Sequence, residues 1–260
     1  MKTMMARLWR STWVLAAFCA AGTAMAKPGE LASINWPNSA WRLTATQGPE
    51  VPDPVMDEGT VPGAIRLCLS KDGGRSCSPA LPNLLALSHG PGDTYSDAHY
   101  LNDARIVYPR EGSPLLLVGV SSIHAVNNDQ RVGFAALTYD KAKDGFTLAY
   151  RAQTGRNNNQ EIRYMESGPL RGAIIWAEPT SDAPFGFWIT VSKPGANGIY
   201  TQALRYRSAT RYGDGNPLAA IDSDMPNILQ RLGLWHPGMK LPVPNAKCTT
   251  PHLKAGALWC

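Results

Sequence analysis

Short apolar runs separated by turn residues dominate the chain between residues 104 and 210. The runs are rich in β-branched and aromatic side chains, and Pro-Gly, Asp-Gly or Asn-Gly pairs bound several of them. The pattern predicts eight strands, over residues 104–109, 115–122, 132–139, 145–151, 161–166, 170–177, 186–192 and 199–207. We therefore expect a mainly β protein.

The predicted strands fall into two similar segments, 104–154 and 161–210, which are offset by 53 to 56 residues. Tyr150 is followed by Arg-Ala-Gln-Thr in the first segment, and Tyr206 by Arg-Ser-Ala-Thr in the second. Four-stranded units of this length are typical of β-propeller blades, so we predict a propeller-like array of four-stranded antiparallel units. A two-sheet β-sandwich of duplicated meanders explains the same repeat and stays open.

The apolar period changes near the C-terminus. Apolar residues lie at i, i+3, i+4 and i+7, namely Met225, Ile228, Leu229 and Leu232. This spacing predicts one short helix, with Ser223 as its N-cap and Gly233 just after its end. Its apolar stripe is expected to pack on a sheet, and residues 252–260 are expected to form a final strand.

The first 26 residues have the pattern of a secretory signal peptide. Lys2, Arg7 and Arg10 precede an apolar run over 13–21, and small residues lead up to Ala26. The nine-residue run is too short to cross a bilayer. We predict cleavage near Ala26, a single all-β domain over 27–260 without a membrane span, and a periplasmic or secreted location.

Four cysteines remain after the predicted cleavage: Cys68, Cys77, Cys248 and Cys260. An Asp-Gly hairpin turn over 71–74 would place Cys68 opposite Cys77 on a non-hydrogen-bonded pair, where Cα atoms lie about 4.5 Å apart and a disulfide fits. Cys248 then pairs with Cys260 by elimination. A zinc site of four thiolates is the weaker alternative because the spacing contains no C-x-x-C.

Charge and composition narrow the classes of partner. Removing the predicted signal peptide, which has three basic residues and no acidic one, lowers the formal net charge from +5 to +2. A basic surface for nucleic acid therefore has little support. With 44% hydrophobic and 17% charged residues, the chain has enough apolar side chains to form a core.

Polar loops join the predicted units, over 88–103, 155–161 and 211–216, and a repeat would bring them to one rim. We predict a ligand- or partner-binding face there. Asn, Asp and Gly are also common in ordinary turns, which is the competing interpretation. The candidate binding residues are Asp97, His99, Asp103, Arg156, Asn157, Asn158, Asn159, Glu161, Tyr212, Asp214 and Asn216.

The sequence lacks the common catalytic and cofactor-binding motifs. The chain has no G-x-S-x-G elbow, P-loop or dinucleotide fingerprint, and we expect no cofactor. A divalent metal at Asp93, Asp97, His99 and Asp103 is a weak hypothesis, because their spacing matches neither an EF-hand nor H-E-x-x-H.

The sequence favours a secreted periplasmic binding protein over an enzyme. The partner would be a protein or an envelope ligand, and one specific form is an inhibitor or immunity-type protein. The alternative is a periplasmic hydrolase with an Asp/Glu/His loop site, assisted by a metal in one version. A purely structural role in the envelope ranks third.

Overall fold

The computed structural model describes residues 29–260, except 57, 79–80, 82, 84, 88–89, 91, 128–129, 155–160, 183–184, 212 and 245–247. The predicted signal peptide lies outside the described residues. The described chain is mainly β, with antiparallel sheets and one helix near its C-terminus, as predicted.

The first sheet, here called the N-terminal sheet, has three antiparallel strands in the order β1-β2-β5. A two-stranded ribbon, β3-β4, lies in the connection between β2 and β5. The bounds are β1 (Glu30–Asn35), β2 (Arg42–Gln47), β3 (Val51–Pro52), β4 (Thr60–Val61) and β5 (Ile65–Ser70).

Two four-stranded antiparallel sheets follow, each a meander of consecutive strands. The central sheet contains β6 (Tyr100–Arg110), β7 (Ser113–Ser121), β8 (Val132–Asp140) and β9 (Gly145–Thr154). The helix-side sheet contains β10 (Glu161–Tyr164), β11 (Ile174–Pro179), β12 (Gly186–Pro194) and β13 (Tyr200–Arg211). The eight predicted strands are present. β6 begins at Tyr100 rather than 104, and β13 ends at Arg211 rather than 207. β11 begins at Ile174 rather than 170, because Gly168–Leu170 forms a 3-10 turn.

The sheets stack face to face because successive side chains of a strand point to opposite faces, and both faces of the central sheet are apolar. Leu116 and Val118 of β7 pack towards the N-terminal sheet, whereas Leu117 packs with Tyr164 and Ile174 of the helix-side sheet. The opposite face of the helix-side sheet packs against the helix. This layering fits the two-sheet sandwich alternative, while the propeller arrangement and the internal repeat stay predictions.

The helix, α1 (Ala220–Arg231), buries its predicted stripe on the helix-side sheet, but it begins before the expected N-cap. Ser223 lies inside the helix, fully buried, and its hydroxyl contacts the carbonyl of Leu258. Gly233 follows the end of the helix with a positive φ of 69°, as predicted. The predicted final strand is a hairpin, β14 (His252–Lys254) and β15 (Ala257–Trp259), because the residues between them turn with positive φ.

Both predicted disulfides are present, with Cα–Cα distances of 4.9 Å for Cys68–Cys77 and 5.0 Å for Cys248–Cys260. The predicted two-residue hairpin turn is wrong in register. The N–H of Ser78 donates to the carbonyl of Leu69, so the loop is longer than expected. Side-chain hydrogen bonds within this loop, including one from the Gly74 N–H to the Ser70 hydroxyl, stabilise the wider turn.

Candidate functional site

Two of the predicted binding residues, Asp103 and Glu161, line one cleft between the central and helix-side sheets. Asp103 lies on β6 opposite Gly119, and Glu161 begins β10 opposite Ala177. The cleft has a volume of about 350 Å³. Its lining residues are Asn102, Asp103, Arg105, Gly119, Val132, Phe134, Glu161, Ile162 and Tyr164.

Asp103 belongs to a small charge network at the edge of the cleft. The guanidinium of Arg105 lies 3.3 Å from a carboxylate oxygen of Asp103 and 3.3 Å from one of Glu166. Burial raises the pKa of Asp103, the Arg105 charge opposes that rise, and the Glu166 charge adds to it. One cation therefore serves two carboxylates.

Glu161 belongs to a second network of the same form. The Nε of Arg163 donates to a Glu161 oxygen at 2.7 Å, and a terminal nitrogen of Arg163 donates to Asp222 at 3.0 Å. The other Glu161 oxygen accepts the backbone N–H of Ile221, at 3.1 Å, in the first turn of α1. This bond satisfies one of the free N–H groups of the helix, so Glu161 acts as a cap from another layer of the fold.

Burial also governs the electrostatics of the second network. It raises the pKa of Glu161, although the Arg163 charge lowers it. Burial disfavours the charged form of Arg163, but the hydrogen bonds and charges of Asp222 and Glu161 raise the pKa of Arg163 overall. In the ion pairs of the described residues, the two networks join four carboxylates to two guanidinium groups, so these six groups carry a net charge of −2 when all are ionised.

The floor of the cleft is formed by the facing sheets. Gly119 gives room there, since a Cβ at this position would lie 3.4 Å from the Asp103 Cβ and 3.5 Å from the Phe134 ring. Three buried side-chain atoms of the described residues have no hydrogen-bond partner, the hydroxyls of Ser33 and Thr154 and the indole nitrogen of Trp176, and none of these residues lines the cleft.

Asp93, Asp97 and His99 of the first predicted loop do not line this cleft. His99 is buried, and its Nδ1 lies 2.6 Å from the carbonyl of Pro62. Asp93 pairs with Arg131, and Asp97 is exposed. Among the described residues no group of three or more His, Cys, Asp or Glu side chains is arranged to hold a metal, so the metal hypothesis lacks a ligand set there.

The third predicted loop lies elsewhere too. Asp214 accepts the N–H of Asn216 in a turn and lines a separate cleft with Lys254 and Trp259. The Asn216 side-chain amide donates to the Ser223 hydroxyl and to the Leu258 carbonyl, which ties the loop to α1 and β15. The predicted residues Arg156–Asn159 and Tyr212 lie outside the described residues.

Sequence analysis missed the charged partners of the two acids: Arg105, Arg163, Glu166 and Asp222. A signal for two of them exists, because each meander carries an acid, one intervening residue and an arginine on its first strand, at 103–105 and 161–163. In a strand, residues i and i+2 point to the same face, so each arginine lies beside its acid.

Comparison with known proteins gives no match to a family model, a curated protein or a solved structure. Within the described part of the chain, no helix is long and apolar enough to cross a membrane.

Proposed function

We propose that this protein is a secreted periplasmic binding protein that takes a positively charged group of a protein or envelope ligand in the cleft between its two four-stranded sheets. The observation that carries the proposal is that Asp103 and Glu161, 58 positions apart in the sequence, both line one cleft. The two disulfides are consistent with an oxidising compartment.

Charge supports a cationic ligand. The two arginines of the networks do not neutralise the four carboxylates around them. A unit positive charge about 4 Å from one carboxylate gains roughly 4 kcal/mol at the effective dielectric constant typical near a protein surface, and the arginine already beside that carboxylate offsets part of this gain. The carboxylates would repel an anionic ligand.

Rigidity supports a binding role as well. Asp103 and Glu161 lie within strand ladders rather than on free loops, and their side chains are 21% and 20% exposed. Side chains held in place before binding lose little conformational entropy when the partner arrives. An inhibitor or immunity-type protein, which blocks a secreted enzyme through a preformed surface, is one specific form of this proposal.

A periplasmic hydrolase is the second candidate, and one observation favours it. Burial raises the pKa of both Asp103 and Glu161, and a carboxylic acid with a raised pKa can act as a proton donor. Such an enzyme would turn over a substrate, whereas a binding protein would hold its ligand with fixed stoichiometry.

The test uses the mature chain from Lys27 as an immobilised bait for envelope extract of its own source. The bait is compared with Asp103→Asn/Glu161→Gln, which keeps shape but removes both charges. Asp182→Asn is the matched control, because Asp182 pairs with Arg207 away from the cleft.

We expect one partner to be retained by the wild type and the control and lost by the double variant. Equal recovery by all three baits would overturn the proposed site. Release of a modified, low-mass product from the extract by wild type alone would favour the hydrolase.

A further inference from the structure

We propose that a second cleft, here called the aromatic cleft, binds an acidic sugar unit of a saccharide chain, with the Tyr108 ring against the sugar ring and the Lys141 ammonium beside its carboxylate. The aromatic cleft has a volume of about 430 Å³, within the range of roughly 300–1,000 Å³ for small-ligand pockets. Its lining includes Trp36, Asn38, Tyr108, Ser113, Tyr139 and Lys141. This inference goes beyond the proposed function and does not rest on it.

The aromatic cleft lies at the end of the central sheet that is opposite to Asp103. It is formed by the turn after β1, the ends of β6 and β8, and the start of β7. Tyr108 and Asp103 are five residues apart on β6, which at a rise of about 3.3 Å per residue separates them by roughly 16 Å along the strand. The two clefts can therefore be tested independently.

Two aromatic rings of the lining are held in place by the protein. The Trp36 ring lies edge to face with the Phe146 ring at 4.9 Å, and the Tyr139 hydroxyl donates to Asp144 at 2.7 Å. Tyr108, in contrast, is 45% exposed, and its side chain makes no ring contact or hydrogen bond among the described residues. An exposed ring with an apolar face and a polar tip suits a sugar, which has an apolar C–H face and hydroxyl groups at its edge.

The polar side chains of the lining are available to a ligand. Those of Asn38, Ser113 and Lys141 make no hydrogen bond or ion pair within the described part of the chain. Amide and hydroxyl groups both donate and accept, as the hydroxyl groups of a sugar do. A polyproline-type peptide docks on neighbouring exposed aromatic rings, but Trp36 is only 5% exposed, so the lining favours a saccharide.

Charge favours an acidic sugar. Among the described residues, Lys141 is the one charged side chain in the lining, and it is exposed. Glu111, in the turn between β6 and β7, lies outside the lining, and the neighbouring Asp140 pairs with Lys143 at 3.5 Å. An ammonium group has three donors and no acceptor, so it suits an anionic partner. A uronic acid supplies the sugar ring and the carboxylate in one unit.

The probe is a glycan array that carries uronic-acid oligosaccharides beside neutral oligosaccharides of the same length, incubated with the labelled mature chain from Lys27. Calorimetry then measures the affinity for an acidic glycan that is bound on the array. The peptide acetyl-Pro-Glu-Pro-Glu-Pro-amide represents the other class of ligand. We expect the protein to bind uronic-acid glycans more tightly than neutral ones, to lose affinity for them as salt rises, and not to bind the peptide.

Variants locate the binding in the aromatic cleft. Tyr108→Ala should weaken it by about tenfold or more, whereas Tyr108→Phe, which keeps the ring, should stay within about threefold of the wild type. Phe185→Ala removes a ring that is 54% exposed and outside the lining, and should leave the affinity unchanged. Lys141→Met should weaken binding of the acidic glycan by about three- to tenfold. Lys240→Met is its matched control, because Lys240 is exposed and outside the lining.

The inference is overturned if the folded wild type binds no uronic-acid glycan, or binds neutral glycans equally well. It is also overturned if Tyr108→Ala keeps full affinity, or if the acidic peptide binds more tightly than the glycans. If Tyr108→Ala does not fold, full affinity in Lys141→Met has the same consequence. Capture of the envelope partner through Asp103 and Glu161 is measured separately, so the failure of either proposal leaves the other standing.

Discussion

Arg163→Met should destabilise the protein at neutral pH, because Arg163 is the one cation contacting both Glu161 and Asp222 among the described ion pairs. Methionine keeps most of the aliphatic volume of arginine but neither its charge nor its donors. The substitution leaves two partly buried carboxylates without their shared partner, close to the N-terminus of α1.

The magnitude follows from the contacts that are lost. Arg163 donates to Glu161 at 2.7 Å and to Asp222 at 3.0 Å, and a hydrogen bond to a charged group contributes roughly 1.5–3 kcal/mol. The Arg163 side chain is 32% exposed, so water compensates for part of this loss. We expect the free energy of unfolding to fall by about 2–3 kcal/mol, below the range for fully buried ion pairs.

The loss should depend on pH. Burial already raises the folded-state pKa of Glu161, and removal of Arg163 would raise it further. An acid with a folded-state pKa above its unfolded value destabilises the fold when it is ionised. The cost of Arg163→Met is therefore full at neutral pH and shrinks as the pH falls through the folded-state pKa.

The assay is urea unfolding, followed by tryptophan fluorescence at neutral and at mildly acidic pH. Arg205→Met is the matched control, because Arg205 and Glu178 lie 3.5 Å apart with exposed fractions of 46% and 37%. This exposed pair should contribute no more than about 1 kcal/mol. A loss below about 0.5 kcal/mol for Arg163→Met, the range of ordinary surface substitutions, or an equal loss at both pH values, would refute the reasoning.

Three further predictions concern the stability of the fold. Tyr206→Phe removes the hydroxyl that donates to the fully buried Asp224, and should lower the free energy of unfolding by about 1–3 kcal/mol at neutral pH. The loss should be smaller in acid, because burial raises the pKa of Asp224 and its protonation removes the charge that has lost its donor. Gly63→Ala should reduce stability by more than about 2 kcal/mol, since a Cβ there would lie 2.0 Å from the Pro49 carbonyl oxygen. Reducing both disulfides should lower the melting temperature, each bond being worth roughly 2–4 kcal/mol.

Urea unfolding checks the two substitutions, and calorimetry with and without a reducing agent checks the disulfides. Gly145→Ala serves as the control for Gly63→Ala, because its new Cβ would come no closer than 3.7 Å to a neighbour. A pH-independent loss in Tyr206→Phe, a stable Gly63→Ala, or an unchanged melt with four free thiols would each contradict the corresponding contact.

The strands were predictable because their signal is local. β7 is a continuous apolar run because both of its faces are buried between two layers, and turn residues mark the ends of each strand. The start of α1 was not predictable in this way. The nearest capping side chain in the sequence pattern is Ser223, but the Ile221 N–H is capped by Glu161, 60 positions upstream. A cap supplied by tertiary contact leaves no mark beside the helix.

The candidate site was half predictable for a similar reason. Polarity and position indicated Asp103 and Glu161, whereas closeness in sequence grouped Asp103 with Asp93, Asp97 and His99, none of which lines the cleft. His99 lies four residues before Asp103, and an extended chain rises about 3.3 Å per residue, so the two side chains are far apart in space. The His99 ring lies against the Pro62 carbonyl instead. Asp103 and Glu161 reach the same cleft only because their two sheets pack together, and the sequence around each residue carries no signal of that packing.

Glu161 connects the stability of the fold to the cleft. One of its oxygens caps α1, and the other is held by Arg163, so the carboxylate is fixed in place before any ligand arrives. Asp103 contacts no helix residue among the described ion pairs and hydrogen bonds; its carboxylate lies beside Arg105 and accepts the backbone N–H of Ala104. A change at Glu161 should therefore perturb folding and, under the proposed function, binding as well, while a change at Asp103 should report on the cleft with little effect on α1. An effect on binding that appears in Asp103→Asn as well as in Glu161→Gln can be assigned to the lost charge rather than to a loosened helix.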